Sequence, residues 1–209
     1  MATSTSTGDA TTRDFSDELQ EWLEADGSKT VGDLIDTFDE RSFAVGIMLM
    51  LFVPALPVPT AGISHVLEFG ALLMAAQMVL GRHTVWLPHW VRKRELGGIM
   101  TGKAIPFMVR RVRWFEKFSH PRGARLFDQT WFLRIIGLLL IACTIGSAIA
   151  PPFSMLDTLP ALGGVVICLA IVLADVVVLA IGTVVAAGGI ALIVTIGAAL
   201  ASFIRGLFS

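Results

Sequence analysis

The sequence predicts an all-α, polytopic helical membrane protein, and three observations carry that expectation. Charged residues make up 16% of the chain, against roughly 25% in an ordinary soluble domain, and they are segregated. Residues 1–41 hold 14 charges and residues 82–134 hold 15, leaving four for the other 115 positions: Glu68, Asp157, Asp175 and Arg205. A soluble fold of this size has too little polar surface left to cover so much uncharged chain. The apolar runs are continuous rather than alternating, which argues against an outer-membrane barrel. Finally, the two apolar regions, residues 42–81 and 135–209, are each interrupted by prolines and glycines. That predicts two broken segments, re-entrant or discontinuous, in the outline of an inverted repeat.

Four regions follow in order. Residues 1–41 form an acidic tail with two amphipathic helices. The first twelve residues are rich in Ser, Thr and Gly and promise no element, and they lack the basic and apolar pattern of a cleaved signal peptide. Phe15, Leu19, Trp22 and Leu23 then share one helical face. Val31, Leu34, Ile35 and Phe38 repeat the spacing, with Thr30 and Asp33 placed as a reciprocal capping pair. Eleven acids against three bases in this region disfavour an anionic lipid surface, so the acidic faces are expected to pack on protein, the basic central segment being the candidate. Residues 42–81 are the first membrane region. Pro54, Pro57 and Pro59, followed by Gly62, end its helix midway, because proline lacks the backbone donor and clashes with the preceding turn. Two pieces result, Phe43–Val53 and about Ile63–Leu80, roughly 16 and 27 Å long at 1.5 Å per residue.

Residues 82–134 carry 12 bases against three acids. A basic connection between apolar spans marks the cytoplasmic side, with Trp86 and Trp90 as interfacial anchors. Within it, Ile105, Phe107, Met108, Val112, Phe115 and Phe118 alternate with Arg110, Arg111, Arg113 and Lys117, predicting a basic amphipathic helix lying on the membrane surface. Because that run is tethered between hydrophobic spans, nucleic acid is not the expected partner. Residues 135–209 are the second membrane region. Ile135–Ala150 runs inward, Pro151, Pro152 and Pro160 with Gly163 and Gly164 break it, Ala161–Ala174 continues, and Val176–Ile204 follows Asp175.

Several short pieces of the chain resemble the ExoD family of exopolysaccharide-synthesis membrane proteins over about residues 30 to 182. They include Gly32-Asp33-Leu34-Ile35, the run Val53-Pro54-Ala55-Leu56-Pro57-Val58-Pro59, and Gly62-Ile63-Ser64. The most specific is Gln77-x-x-x-Gly81-Arg82-x-x-x-Trp86-Leu87-Pro88. Pro121-Arg122 and Pro152-Phe153-Ser154 with Leu159-Pro160-Ala161 follow downstream. The resemblance implies a bacterial inner-membrane protein connected with exopolysaccharide production and no defined reaction. It makes Arg82 and Arg122 motif arginines, suited to an anion or lipid headgroup, although snorkelling and positive-inside placement explain both without any substrate.

Five polar residues within apolar surroundings are candidates for a transport site. His65 and Glu68 lie one helical turn apart just after the first break, and could form a proton-accepting or cation-binding pair or simply satisfy backbone freed near Pro59. Gln77 suits an interhelical hydrogen bond or a site role. Asp157 stands inside the second break, as a ligand or as a helix cap. Asp175 faces a cavity or marks a turn at the membrane face. Cys143 and Cys168, 25 positions apart, match no metal or redox spacing and read as small buried hydrophobes. His83 and His89 are not spaced as metal ligands. No phosphate-binding loop, dinucleotide fingerprint, nucleophile elbow or zinc-protease motif occurs, so no enzyme, cofactor or metal is expected.

The expected function is transporter- or channel-like, with a polar site at the broken helices. The alternative is a non-catalytic membrane scaffold or regulator that contacts the polysaccharide-synthesis machinery. Membrane lipids are expected partners. A homodimer is expected too, because Gly182, Ala186, Ala187, Gly188, Gly189, Gly197 and Ala198 would let final helices approach closely.

Overall fold

The structure, a computed structural model, describes residues 15–25, 30–37, 42–56, 63–82, 85–86, 89–93, 105–118, 123–150 and 156–207. These residues form ten helices with connecting turns and no strand. The helices are α1 (Phe15–Glu24), α2 (Val31–Thr37), α3 (Ser42–Phe52), α4 (Ile63–Val79), α5 (His89–Arg92), α6 (Ile105–Phe118), α7 (Ala124–Phe127), α8 (Thr130–Ile149), α9 (Thr158–Leu173) and α10 (Val176–Leu207). Two of them, over Thr130–Ile149 and Val176–Ala199, are long and apolar enough to cross a membrane by length and composition. The shorter apolar helices α3, α4 and α9 complete the hydrophobic part.

α3 is the centre. Every residue from Phe43 to Phe52 is buried, as expected of a helix that is apolar all round. It packs on α4 and α9, and α8 packs on both α4 and α9, so these four helices form a closed ring of contacts. Neighbours run antiparallel. Gly46 faces Met74 and Gly70 faces Met50 between α3 and α4, while Gly137 lies against Val79 and Ala75 between α8 and α4. α10 covers the outside of α9, where Gly163 meets the backbone of Ala186, Gly182 meets Ile167, and Gly189 meets Pro160.

α3–α4 and α8–α9 are therefore two hairpins that start at the same end and turn at the same end. An inverted repeat needs hairpins of opposite direction, and these two share one direction. Sequence periodicity could not show this, because direction is fixed by contacts between hairpins.

Two further boundaries differ from expectation. α8 begins at Thr130, not Ile135; Arg134 belongs to its first turns, with its guanidinium beside Gly81. A charge is tolerated there because its long side chain reaches the helix end. Pro160 does not break a helix. It is the third residue of α9, where its missing N–H has no intrahelical partner to lose. Gly163 and Gly164 are likewise interior residues of α9, used for close packing. Pro54, by contrast, is buried in the turn that ends α3. Pro57, Pro59, Gly62, Pro151 and Pro152 lie outside the described residues.

The polar helices sit at the other end, beside the start of α3 and the end of α4. Thr30 and Asp33 make the reciprocal capping bonds at the start of α2, Thr30 N to Asp33 Oδ2 (3.2 Å) and Asp33 N to Thr30 Oγ1 (3.1 Å). α1 packs on α6, and Arg113 Nη2 donates to Asp17 Oδ1 and Gln20 Oε1, both at 2.9 Å. Arg92 of α5 pairs with Asp36 of α2. The acidic helices thus pack on the basic segment. One consequence revises the surface helix: Ile105, Val109 and Val112 of α6 are buried with Leu19 and Trp22, so α1 covers a stripe that the sequence assigned to lipid.

Candidate functional site

The turn ends of the two hairpins meet around one carboxylate. Helical spacing places His65 and Glu68 on one side of the first turns of α4. Glu68 is 2% exposed, although the His65 side chain is 55% exposed. Glu68 Oε2 lies 2.9 Å from His65 Nδ1. Its other oxygen, Oε1, accepts a 2.5 Å hydrogen bond from Ser147 Oγ. Ser147 is fully buried in the last turn of α8, and its hydroxyl is also 3.3 Å from the Asp157 carbonyl oxygen. That carbonyl accepts the first bond of α9, from Ala161 N at 3.2 Å. The Asp157 carboxylate makes no capping bond, so its cap reading is not what the side chain does.

One hydroxyl therefore connects α4, α8 and the beginning of α9. Among the described residues no buried side-chain nitrogen or oxygen lacks a hydrogen-bond partner, and Glu68 is satisfied by these two contacts. Among the described residues no group of three or more His, Cys, Asp or Glu side chains could hold a metal ion. Sequence reasoning missed Ser147. A serine in an apolar helix ordinarily bonds its own backbone one turn back, as Thr144 does to Leu140 O at 2.8 Å, and nothing in the sequence distinguishes the two.

Gln77 and Asp175 stand at the opposite end, away from this group. Gln77 makes a clasp. Its Oε1 accepts from Trp86 N (2.7 Å), and its Nε2 donates to Trp86 O (2.8 Å) and Leu73 O (3.2 Å). Its own carbonyl accepts from Arg82 N (3.1 Å) while Gly81 N bonds Met78 O (3.0 Å), closing α4 with the paired bonds of a left-handed helix cap. Gly81 supplies the required positive φ of 72°. The Gln-x-x-x-Gly-Arg-x-x-x-Trp pattern is thus a helix terminator whose glutamine holds the following strap. Arg82 is exposed and contributes its backbone N–H; Arg122 lies outside the described residues.

Asp175 sits in the turn between α9 and α10, 2% exposed, with Oδ1 accepting from Val177 N at 2.8 Å as a cap for α10. The turn uses the same paired bonds as α4, Ala174 N to Ile171 O and Asp175 N to Ala170 O. Gly123 N donates to Ala174 O at 3.1 Å, which ties the segment before α7 to this turn. Cys143 and Cys168 are both buried and free. His89 is exposed at the start of α5, and His83 lies outside the described residues.

No solved structure matches the chain. It is 29% identical over 160 residues to the uncharacterized protein slr1875 of Synechocystis sp., a match covering 71% of this chain and 70% of that protein. The family model described as "Exopolysaccharide synthesis, ExoD" matches residues 15–195, a span that holds the Glu68 group, both hairpins and the Gln77 clasp. The chain belongs to the ExoD family.

Proposed function

We propose that the chain is a multi-pass bacterial inner-membrane protein of exopolysaccharide synthesis, transporter- or channel-like, with its polar site at Glu68, Ser147 and His65. Family membership supports the link to exopolysaccharide synthesis. The observation that carries the site is the burial of Glu68 at the end where both hairpins turn. An ionisable group held inside a membrane domain is costly and is functional by default. No catalytic step, cofactor or nucleic acid enters this reading.

In the proposed topology, residues 1–41 and 82–134 lie on the cytoplasmic side. The two hairpins dip into the bilayer from there and return, and α10 crosses. What supports it is the shared direction of the hairpins and the shortness of their helices other than α8, which at 20 residues matches the core thickness. A 17-residue α4 and a 16-residue α9 are about 25 Å long, short of a core of about 30 Å. A parallel repeat is part of the same proposal. Gly81 and Ala174, the two left-handed caps, lie 93 positions apart. That same step carries buried Ile47 onto buried Leu140 and buried Met74 onto buried Ile167. It also superimposes α1 on α6, α2 on α7, α3 on α8 and α4 on α9 in chain order.

The test is purified protein in liposomes, assayed for movement of protons and small ions. Flux that depends on the protein and is lost in Glu68→Gln is expected. Absent flux, together with full exopolysaccharide production in cells carrying Glu68→Gln, would sink the proposal. The scaffold reading is favoured by a different observation, the exposed cleft between α1 and α6 lined by Asp17, Gln20, Glu21, Glu24 and Arg113. It predicts that charge reversal at Arg113, not Glu68→Gln, abolishes polysaccharide production.

A further inference from the structure

Ser147 has one hydroxyl hydrogen and two acceptors in reach. Glu68 Oε1 is 2.5 Å away and the Asp157 carbonyl 3.3 Å away, and both Ser147 and Glu68 are buried. When Glu68 is a carboxylate it can only accept, so the Ser147 hydrogen points to Oε1 and α8 is tied to α4. A carboxylic acid also donates. Oε2 already faces His65 Nδ1 at 2.9 Å, whereas Ser147 Oγ is the partner of Oε1 with a lone pair to offer. A proton bound on Oε1 is then donated to Ser147 Oγ, and Ser147 turns its own hydrogen to the Asp157 carbonyl. The two arrangements differ by one proton on Glu68, with His65 Nδ1–H donating to Oε2 in both.

We propose that Glu68 binds one proton reversibly and that Ser147 transmits its state to the start of α9, as a positioning residue between the two hairpins. The proposal rests on the turn end being the functional site and names the ligand of that site. Protonation converts a contact between α4 and α8 into a chain of bonds running from α4 through α8 to α9. Among the described residues the other titratable side chains on the turn-end halves of these helices are His65 on α4 and Cys143 on α8, with Asp157 at the start of α9 and Cys168 further along it. α3 carries no ionisable side chain in Ser42–Phe52. A bond to a backbone carbonyl is a suitable reporter, since that carbonyl also anchors the first turn of α9 through Ala161 N.

The test is carbon-13 NMR of the full chain in lipid nanodiscs over a pH series. It reads the Glu68 side-chain carboxyl carbon and the backbone carbonyl carbon of position 157, the latter through the Thr158 amide. All measurements use an Asp157→Asn background, so that the carboxyl at that position is silent. Both signals are expected to move with one common midpoint. In Glu68→Gln the position-157 carbonyl should stay constant. In Ser147→Ala the Glu68 carboxyl should still titrate while the carbonyl stays constant, and Ser147→Thr, which keeps a hydroxyl, should restore the joint movement. A Glu68 carboxyl that does not titrate overturns the proposal, as does a carbonyl that follows pH without Glu68 or without a hydroxyl at position 147. A failed liposome assay with intact joint titration would sink only the transport reading; flux without the titration would sink only this one.

Discussion

Gly81 and Ala174 occupy the same place at two helix ends, yet only one of them is a glycine. Both are left-handed, with φ of 72° and 49°. For a residue with a Cβ that conformation costs roughly 1–2 kcal/mol, while the extra freedom of glycine in the unfolded chain costs about 0.4–1 kcal/mol. Ala174→Gly is therefore expected to raise stability by up to about 1 kcal/mol, read as a higher unfolding midpoint in mild detergent. Gly81→Ala should lower it by a similar amount and displace the Arg134 guanidinium, which lies 2.9 Å from the position of the new Cβ. A lower midpoint for Ala174→Gly would show that the turn is held by Asp175 and Gly123 regardless of backbone strain. Gln77 belongs to the same scale. Gln77→Leu keeps the volume but loses its side-chain bonds to the Trp86 backbone, at about 1 kcal/mol for each bond. Protection of the Trp86 amide from hydrogen exchange is the measurement, and undiminished protection would remove the clasp.

Helix packing decides which glycines matter. A Cβ on Gly163 would stand 2.6 Å from the Ala186 backbone, and one on Gly188 would meet nothing within 4 Å. Overpacking costs about 1–3 kcal/mol, so Gly163→Ala should destabilise by that amount, while Gly188→Ala should stabilise by about 0.5–1 kcal/mol through helix propensity. Equal midpoints for the two variants would contradict the α9–α10 interface. In the sequence the glycines of α10 form one small-residue surface, because composition shows that a helix can be approached closely but not by which partner. The elements legible in advance were those with punctuation: α6, bounded as expected at Ile105 and Phe118, and α4, set off by the prolines before it and Gly81 after it. α8 and α9 were misplaced at their starts. Arg134 looked like the edge of a span and Pro160 like the end of one, and each is a normal residue of a helix's first turns. Of the site, His65, Glu68 and Asp157 were legible as polar residues beside the breaks. Ser147 was not, since its role depends on α8 reaching α4 across 79 intervening positions.

At the scale of the molecule, burial of Gly182, Ala186 and Gly189 against α9 removes part of the case for a dimer. What supports one is the remaining face of α10, with Gly197 open and Val184 and Val194 exposed. Light scattering in mild detergent is expected to give twice the 22.4 kDa of one chain, and a 22.4 kDa component at every concentration would refute it. Topology gives a sharper expectation. In the proposed topology both hairpins start and finish on the side of the basic segment, and α10 alone continues past the turn end. It meets Pro160 at Gly189 and runs on to Leu207, about 27 Å further at 1.5 Å per residue. Its 32 residues span about 48 Å, more than a hydrocarbon core of about 30 Å. The end of α10 and the basic segment should then face opposite sides of the membrane. Lys93 and Ser202 are both exposed, and the native Cys143 and Cys168 are buried, giving a quiet background. In intact cells an impermeant thiol reagent is expected to label Ser202→Cys and not Lys93→Cys, with both labelled after lysis. Labelling of Lys93→Cys in intact cells would place the basic segment outside and reverse the orientation. If neither variant reacts before lysis, α10 has turned back within the bilayer, and the single-crossing topology is wrong.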